Sequence, residues 1–250
     1  MRFNNFGGFK LKKINVLGYE VCDATYYEIL AEIKKDIKAK VKASVISFNP
    51  NKVILAKKNS EINEVLLKAK YLIPDGTGIL LASRRSGQVL KNRITGISLF
   101  EKICANCSEI GGNIFLYGAS TEVVEQAKIA LMDKYQGITI SGCVNGYSEF
   151  DDALLKQINE SGANILAVAM GSPKQELWIK EHAKSLQNIC IFIGVGGAFD
   201  VISGRIKRAP SWIINLGLEW AYRIVCQPIS RFKNIITLFK FCKVVLNEKK

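Results

Sequence analysis

A single histidine, His182, occurs in 250 residues. It falls inside a helical pattern (IKEHAK), so neither a Ser–His–Asp arrangement nor a His-based metal cluster can be built around it. Proline is scarce at five residues, glycine at 20 is too sparse for a disordered chain, and no repeat of fixed period appears. Long hydrophobic runs are also missing. The longest nearly apolar stretch, Ile189 to Phe199, is closed by Asp200. It falls short of the roughly 20 residues that span a bilayer, and a buried strand with a Gly-rich loop explains it. The N-terminal MRFNNFGGFKLKKINVLG is basic but has no continuous apolar stretch, so no secretory signal is expected. The seven cysteines are odd in number, which fits reduced cytosolic thiols. Cys104 and Cys107 form a CxxC within a helical pattern, without a second pair at zinc-finger spacing, so core packing is their expected use.

Acidic residues are outnumbered 22 to 35, giving a net charge of +13. The excess is uneven. From Ser203 onward ten basic residues face two acidic ones, a surplus of eight, which leaves five for the rest of the chain. So basic a tail calls for an anionic partner: lipid headgroups, phosphates or nucleic acid.

What the chain does have is length for one sizeable core, 48% hydrophobic residues, and a regular alternation of strand-like and helix-like segments. A short strand or hairpin (KINVLGYEV) and a helix over Tyr26–Lys40 come first. Predicted strands follow at Ser44–Asn49, Tyr71–Pro74, Asn113–Gly118, Ile138–Val144, Ala163–Met170 and Ile189–Val195. Between them lie predicted helices at residues 51–70 (broken near Ser60), 97–110, 120–135, 151–159 and 173–186. This alternation predicts an α/β fold: a mostly parallel, Rossmann-like sheet with helices on both faces. The organisation changes near Gly204, so the expected division is a core over 1–202 and a basic, amphipathic C-terminal appendage over 203–250. On a helical wheel Phe232, Ile235, Ile236, Phe239 and Leu246 share one side, and Lys233 and Lys240 align. Leu238, Phe241 and Val245 sit on another. Such a helix suits a membrane interface, or packs on the core or a partner chain.

In parallel sheets ligands sit beyond the carboxyl ends of the strands. Asp75, in PDGTG, follows one strand and reads either as a general base or as a helix N-cap. Ser47 and Asn49 alternate to one face at the end of another, as ligand groups or as turn chemistry. The run Gly171 to Glu176 (GSPKQE) opens a helix and offers free N–H groups beside Lys174, though not at Walker A spacing. Gly194 to Asp200 is a Gly-rich turn without the GxGxxG spacing, so no nicotinamide cofactor is read there.

Taken in series, SFNPNKV, YLIPDGTG, RITG, FLYGAS, GYSEF, AMGSPKQELW, GVGGAFDVISGRIKRAP and LGLEWAYR resemble the WecG/TagA/CpsF glycosyltransferases, over most of the chain. The resemblance implies transfer of a sugar, with inversion and without metal or other cofactor, from a nucleotide-sugar donor to a polyprenyl-diphosphate-linked acceptor at the inner face of a bacterial cell membrane. UDP-N-acetylmannosamine is the donor it suggests, and surface polysaccharide or teichoic acid the product pathway. It implies that Asp75 is the base, that Ser47, Asn49 and Gln175 line the substrate pocket, and that Arg208, Arg223 and Arg231 bind substrate. Many members carry an acidic residue where Ser98 stands and a large apolar one at Thr77. The alternatives are another donor, a uronate or a hexose, within the same family, a non-catalytic nucleic-acid-binding protein using the basic tail, and a scaffold whose site has decayed. The intact core strings argue against the last two, so nucleic acid is not an expected partner. A second copy of the chain is a further candidate partner.

Overall fold

The chain begins with a hairpin: β1 (Lys13–Val16) and β2 (Tyr19–Cys22) pair antiparallel. Leu17 and Gly18 turn between them, both at positive φ, as a tight two-residue hairpin turn requires. The computed structural model describes residues 11–85, 87–147, 151–226 and 228–247; the side chains of Asn215, Arg223 and residues 228–234 are outside the described set. Helix α1 (Tyr26–Ala39) starts on a capping box. The Thr25 side chain accepts the Glu28 N–H, and the Glu28 carboxylate accepts the Thr25 N–H at 2.7 Å, which satisfies two backbone donors at the helix start.

Strand–helix units follow: β3 (Ala43–Phe48), α2 (Pro50–Ala56), α3 (Ser60–Lys68), β4 (Tyr71–Pro74), α4 (Thr77–Arg85) and α5 (Gly96–Ala105). Next come β5 (Ile114–Gly118), α6 (Thr121–Lys134), β6 (Ile140–Val144), α7 (Asp152–Glu160), β7 (Ile165–Ala169), α8 (Lys174–His182) and β8 (Ile191–Gly194). The described chain ends in helices: α9 (Ala198–Ile202), α10 (Ser211–Asn215), α11 (Glu219–Cys226) and α12 (Pro228–Asn247). The expected break near Ser60 is the junction of α2 and α3, where Asn59 caps α3 by accepting the Glu61 and Ile62 N–H groups.

Strands β3 to β8 form one six-stranded sheet in the order β4-β3-β8-β7-β5-β6, with every neighbouring pair parallel. Its strands are apolar on both sides because both sides are covered. Val45, Ile114, Ile165 and Ile191 face a core shared with α1, α5, α6 and α9. Their neighbours Phe115, Leu166 and Phe192 face α7 and α8, and Ile46 faces a cluster built from the hairpin, α2, α3 and α4. Phe241 of α12 is 3% exposed and completes that last cluster. The C-terminal helix is therefore seated on the outer side of the layer that covers β3 and β4.

Candidate active site

β3, β4 and β8 end around one cleft of about 850 Å³, lined by Ser47, Asp75 and Gly194 among others. Chain order reverses here. β3 leads outward to the edge strand β4, whereas β8 arrives from β7 on the other side, the arrangement at which open parallel sheets bind ligands. The volume is in the range of small-molecule sites.

Asp75 follows Pro74 directly. Its Oδ2 accepts the Gly96 N–H at 3.3 Å, and the Ser47 hydroxyl also hydrogen-bonds to it. The stretch between α4 and α5 is held against the end of β4, because the Ile94 N–H donates to the Pro74 carbonyl at 3.0 Å. That contact brings Arg93 and Thr95 into the cleft. Burial pushes the Asp75 carboxyl above the usual carboxylate range; the Gly96 N–H, the charge of Lys52 and the Ser47 hydroxyl pull against it, and Glu219 adds to the rise. A carboxyl tuned toward neutrality is suited to general-base work. The sequence left base and N-cap both open for Asp75. Helix α4 begins only at Thr77, and the Asp75 carboxylate is bound from α5 and β3 instead.

For Asn49 the turn reading and the ligand reading meet. Its Oδ1 accepts the Lys52 N–H at 3.1 Å and caps α2, with Pro50 in the first turn, and the residue also lines the cleft. Gln175 sits in the first turn of α8 and is 2% exposed. Its Oε1 accepts the Gly196 N–H at 3.0 Å, and its Nε2 donates to Glu176 Oε1 at 2.9 Å. A Cβ at Gly194 would overlap the Gln175 carboxamide, so the end of β8 approaches Gln175 as closely as only glycine allows. Gly171 and Ser172, ahead of α8, line the cleft as well.

The roof comes from the last three helices. Arg93 donates to the Ile214 carbonyl at the end of α10, and the turn at Gly217 lies so close to Thr77 that a Cβ would overlap its side chain. Trp220, Ile224, Leu238, Phe241 and Val245 give the roof an apolar lining.

Not every sequence candidate meets at the cleft. Arg208 is not among its lining residues; its guanidinium is bound by the Glu101 carboxylate and by the Ser98 hydroxyl, the latter at 2.9 Å. The side chains of Arg223 and Arg231, like those of Phe232 and Lys233, lie outside the described residues. In turn, the structure adds Lys52, Arg93 and Glu219 to the cleft. Each belongs to a string already quoted (NPNKV, RITG, LGLEW), but no spacing rule singles them out. His182 closes α8 and packs its ring, tilted by 52°, against Trp178 at 4.8 Å between centroids. Cys104 and Cys107 are buried, and burial pushes both thiols up. Among the described residues no three His, Cys, Asp or Glu side chains group as metal ligands, and no helix is long and apolar enough to cross a membrane.

The sequence profile of the Glycosyl transferase WecG/TagA/CpsF family matches residues 14–250. The chain belongs to that family. It is 35% identical over 217 residues, 87% of this chain and 84% of the relative, to the N-acetylglucosaminyldiphosphoundecaprenol N-acetyl-beta-D-mannosaminyltransferase of Bacillus subtilis (strain 168). This glycosyltransferase thus carries the partly buried Asp75 carboxyl at the floor of a cleft whose floor is polar and whose roof is apolar. Beyond the roof, Trp212, Phe239 and Val225 are 64%, 74% and 79% exposed, and Lys240 and Lys243 are exposed beside them.

Proposed function

We propose that this transferase moves N-acetylmannosamine from UDP-N-acetylmannosamine to N-acetylglucosamine on a polyprenyl diphosphate, working against the inner face of the cell membrane. The observation that carries the reading is the cleft itself: a partly buried, raised carboxyl at its floor, apolar side chains in its roof, and exposed aromatic and basic residues on the helices that form the roof. The first suits removal of a proton from a sugar hydroxyl, and the others suit a substrate with a lipid tail at an anionic surface. The activity named for the Bacillus subtilis relative supports N-acetylmannosamine as the sugar moved and an N-acetylglucosaminyl-diphosphate lipid as the acceptor.

In the proposed reaction Asp75 accepts the proton of the acceptor hydroxyl as its oxygen attacks the anomeric carbon. The new C–O bond forms while the bond to the diphosphate oxygen breaks, UDP leaves with the electron pair, and a single displacement inverts the anomeric centre. Arg93 and the N-terminus of α8 stabilise the charge that grows on the leaving diphosphate, and the reaction needs no metal. Ser47, Asn49 and Gln175 orient the sugars. Arg223 and Arg231, carried on α11 and α12, are assigned to substrate phosphates. Arg208 serves through its grip on α5, which fastens the segment leading into the roof.

The test is transfer in detergent micelles containing lipid-diphosphate N-acetylglucosamine, with UDP-N-acetylmannosamine beside uronate and hexose donors, with and without chelator. The expected result is preferred transfer from UDP-N-acetylmannosamine, an inverted product by NMR, and no loss on chelation. Preference for a uronate or hexose would replace the donor. Silence with every donor, together with tight salt-sensitive binding to nucleic acid, would overturn the reading.

A further inference from the structure

The reaction above leaves one buried ion pair without a task. Lys52 Nζ lies 3.1 Å from Glu176 Oε1, with side chains 5% and 2% exposed. Pairs this deep recover little net stability, because desolvating both ions offsets their attraction. This one sits beside the chemistry. Glu176 Oε1 also accepts the Gln175 Nε2–H, while the Gln175 oxygen is held by the Gly196 N–H, so the carboxylate is fixed in place. Burial works to raise the Glu176 carboxyl, but Lys52, Gln175 and Ser172 hold it below the usual range. Lys52 also lines the cleft with Asp75. The charge of one ammonium therefore acts on both carboxylates: Glu176, its ion-pair partner, and Asp75, which must gain and lose a proton.

We propose that Lys52, anchored by Glu176, is the positioning residue that keeps Asp75 ionised and ready to accept a proton. The inference rests on Asp75 being the base. When Asp75 is protonated in the transfer step, a buried Lys52 without Glu176 would be left as an unpaired charge, which is costly. With Glu176 it remains within a neutral pair throughout. Lys52 favours the ionised form of Asp75, and Glu219, reaching in from α11, opposes it. Arg93, from the stretch before α5, shares the cleft, and Ser47 and the Gly96 N–H bind the carboxylate directly. All of these stay constant across the variants below, so any difference belongs to Lys52 and Glu176.

The experiment is the pH dependence of kcat/KM, which reports the free enzyme's base, for the wild type, Lys52→Met, Glu176→Gln, Lys52→Arg and the double variant Lys52→Met/Glu176→Gln. Asp75→Asn serves as reference, and thermal melts confirm folding. Loss of the cation raises the proton affinity of Asp75. Lys52→Met should therefore move the acid limb up by about one pH unit, a roughly tenfold loss of rate below the limb. Glu176→Gln removes the ion-pair partner of Lys52, strengthens the pull of its charge on Asp75 and should move the limb down. Lys52→Arg should hold it near the wild-type position. The double variant removes both buried charges, folds, and should follow Lys52→Met. A pair that serves folding alone predicts equal losses for both single variants at every pH and an unmoved limb. That result, or shifts in the same direction, overturns the proposal while Asp75→Asn stays inactive. If Asp75→Asn turns over at the wild-type rate, the base reading itself has failed and takes this inference with it.

Discussion

Asp75 is held where its charge is disfavoured, and that has a cost in stability as well as a use. A carboxyl whose folded pKa lies above its unfolded value contributes stability at low pH and loses that contribution as pH rises through the folded value. Burial raises Asp75 in this way. Asp75→Asn is therefore expected to melt at a higher temperature than the wild type at neutral pH while losing turnover, and the gain should vanish in acid below the carboxylate range. A lower melting temperature for the variant at neutral pH would contradict the electrostatic account. Gly194→Ala tests the other side of the cleft. Its Cβ would collide with the Gln175 carboxamide, so a folded variant should lose most of its turnover through displacement of Gln175. Asp75 and Asn49 were legible in the sequence because each follows a strand end, Ser47 because it sits in the last residues of β3, and Gln175 through the resemblance carried by GSPKQE. Lys52 and Arg93 were not. Lys52 looks like one more surface lysine of a basic chain until its burial at 4% is seen, and Arg93 reaches the cleft only because Ile94 bonds to the end of β4.

At the level of elements, the central parallel strands were readable because burial on both faces keeps them largely apolar, whereas edge strand β6 has only Ile140 buried. Short helices were harder. α4 contains Gly78 and starts three residues after β4, so its sequence resembles a ligand loop, and α10 has only five residues. The two apolar sides of α12 are explained by its neighbours: Phe241 and Val245 face α2 and the cleft, while Phe239 points outward. Phe241→Ala should weaken this seat by roughly 3 kcal/mol or more. Limited proteolysis should then cleave α12 first, with turnover lost before the core melts. The Arg208 clamp is a second fastening. Burial works to raise Glu101, but Lys134 and Arg208 outweigh it and hold the carboxyl below its usual range. Stability from this carboxylate is therefore present at neutral pH and lost as pH falls through its folded value. Arg208→Ala should cost about 2 kcal/mol and flatten the acid sensitivity, measured by urea denaturation across acidic pH.

For the molecule as a whole, the surplus of positive charge and the exposed Trp212, Val225 and Phe239 belong to the same end. A Lys or Arg near an anionic surface contributes about 1 kcal/mol. Replacing both Lys240 and Lys243 by Gln should thus weaken sedimentation with phosphatidylglycerol vesicles by roughly 30-fold and leave binding to neutral vesicles unchanged. In the proposed function the chain brings an anionic lipid surface, the apolar roof and the Asp75 carboxyl together, and one measurement addresses that claim most directly. It is the rate of sugar transfer from UDP-N-acetylmannosamine to lipid-diphosphate N-acetylglucosamine in micelles, wild type beside a folded Asp75→Asn. The account predicts turnover by the wild type and near-complete loss in the variant. Equal turnover by the two would contradict it.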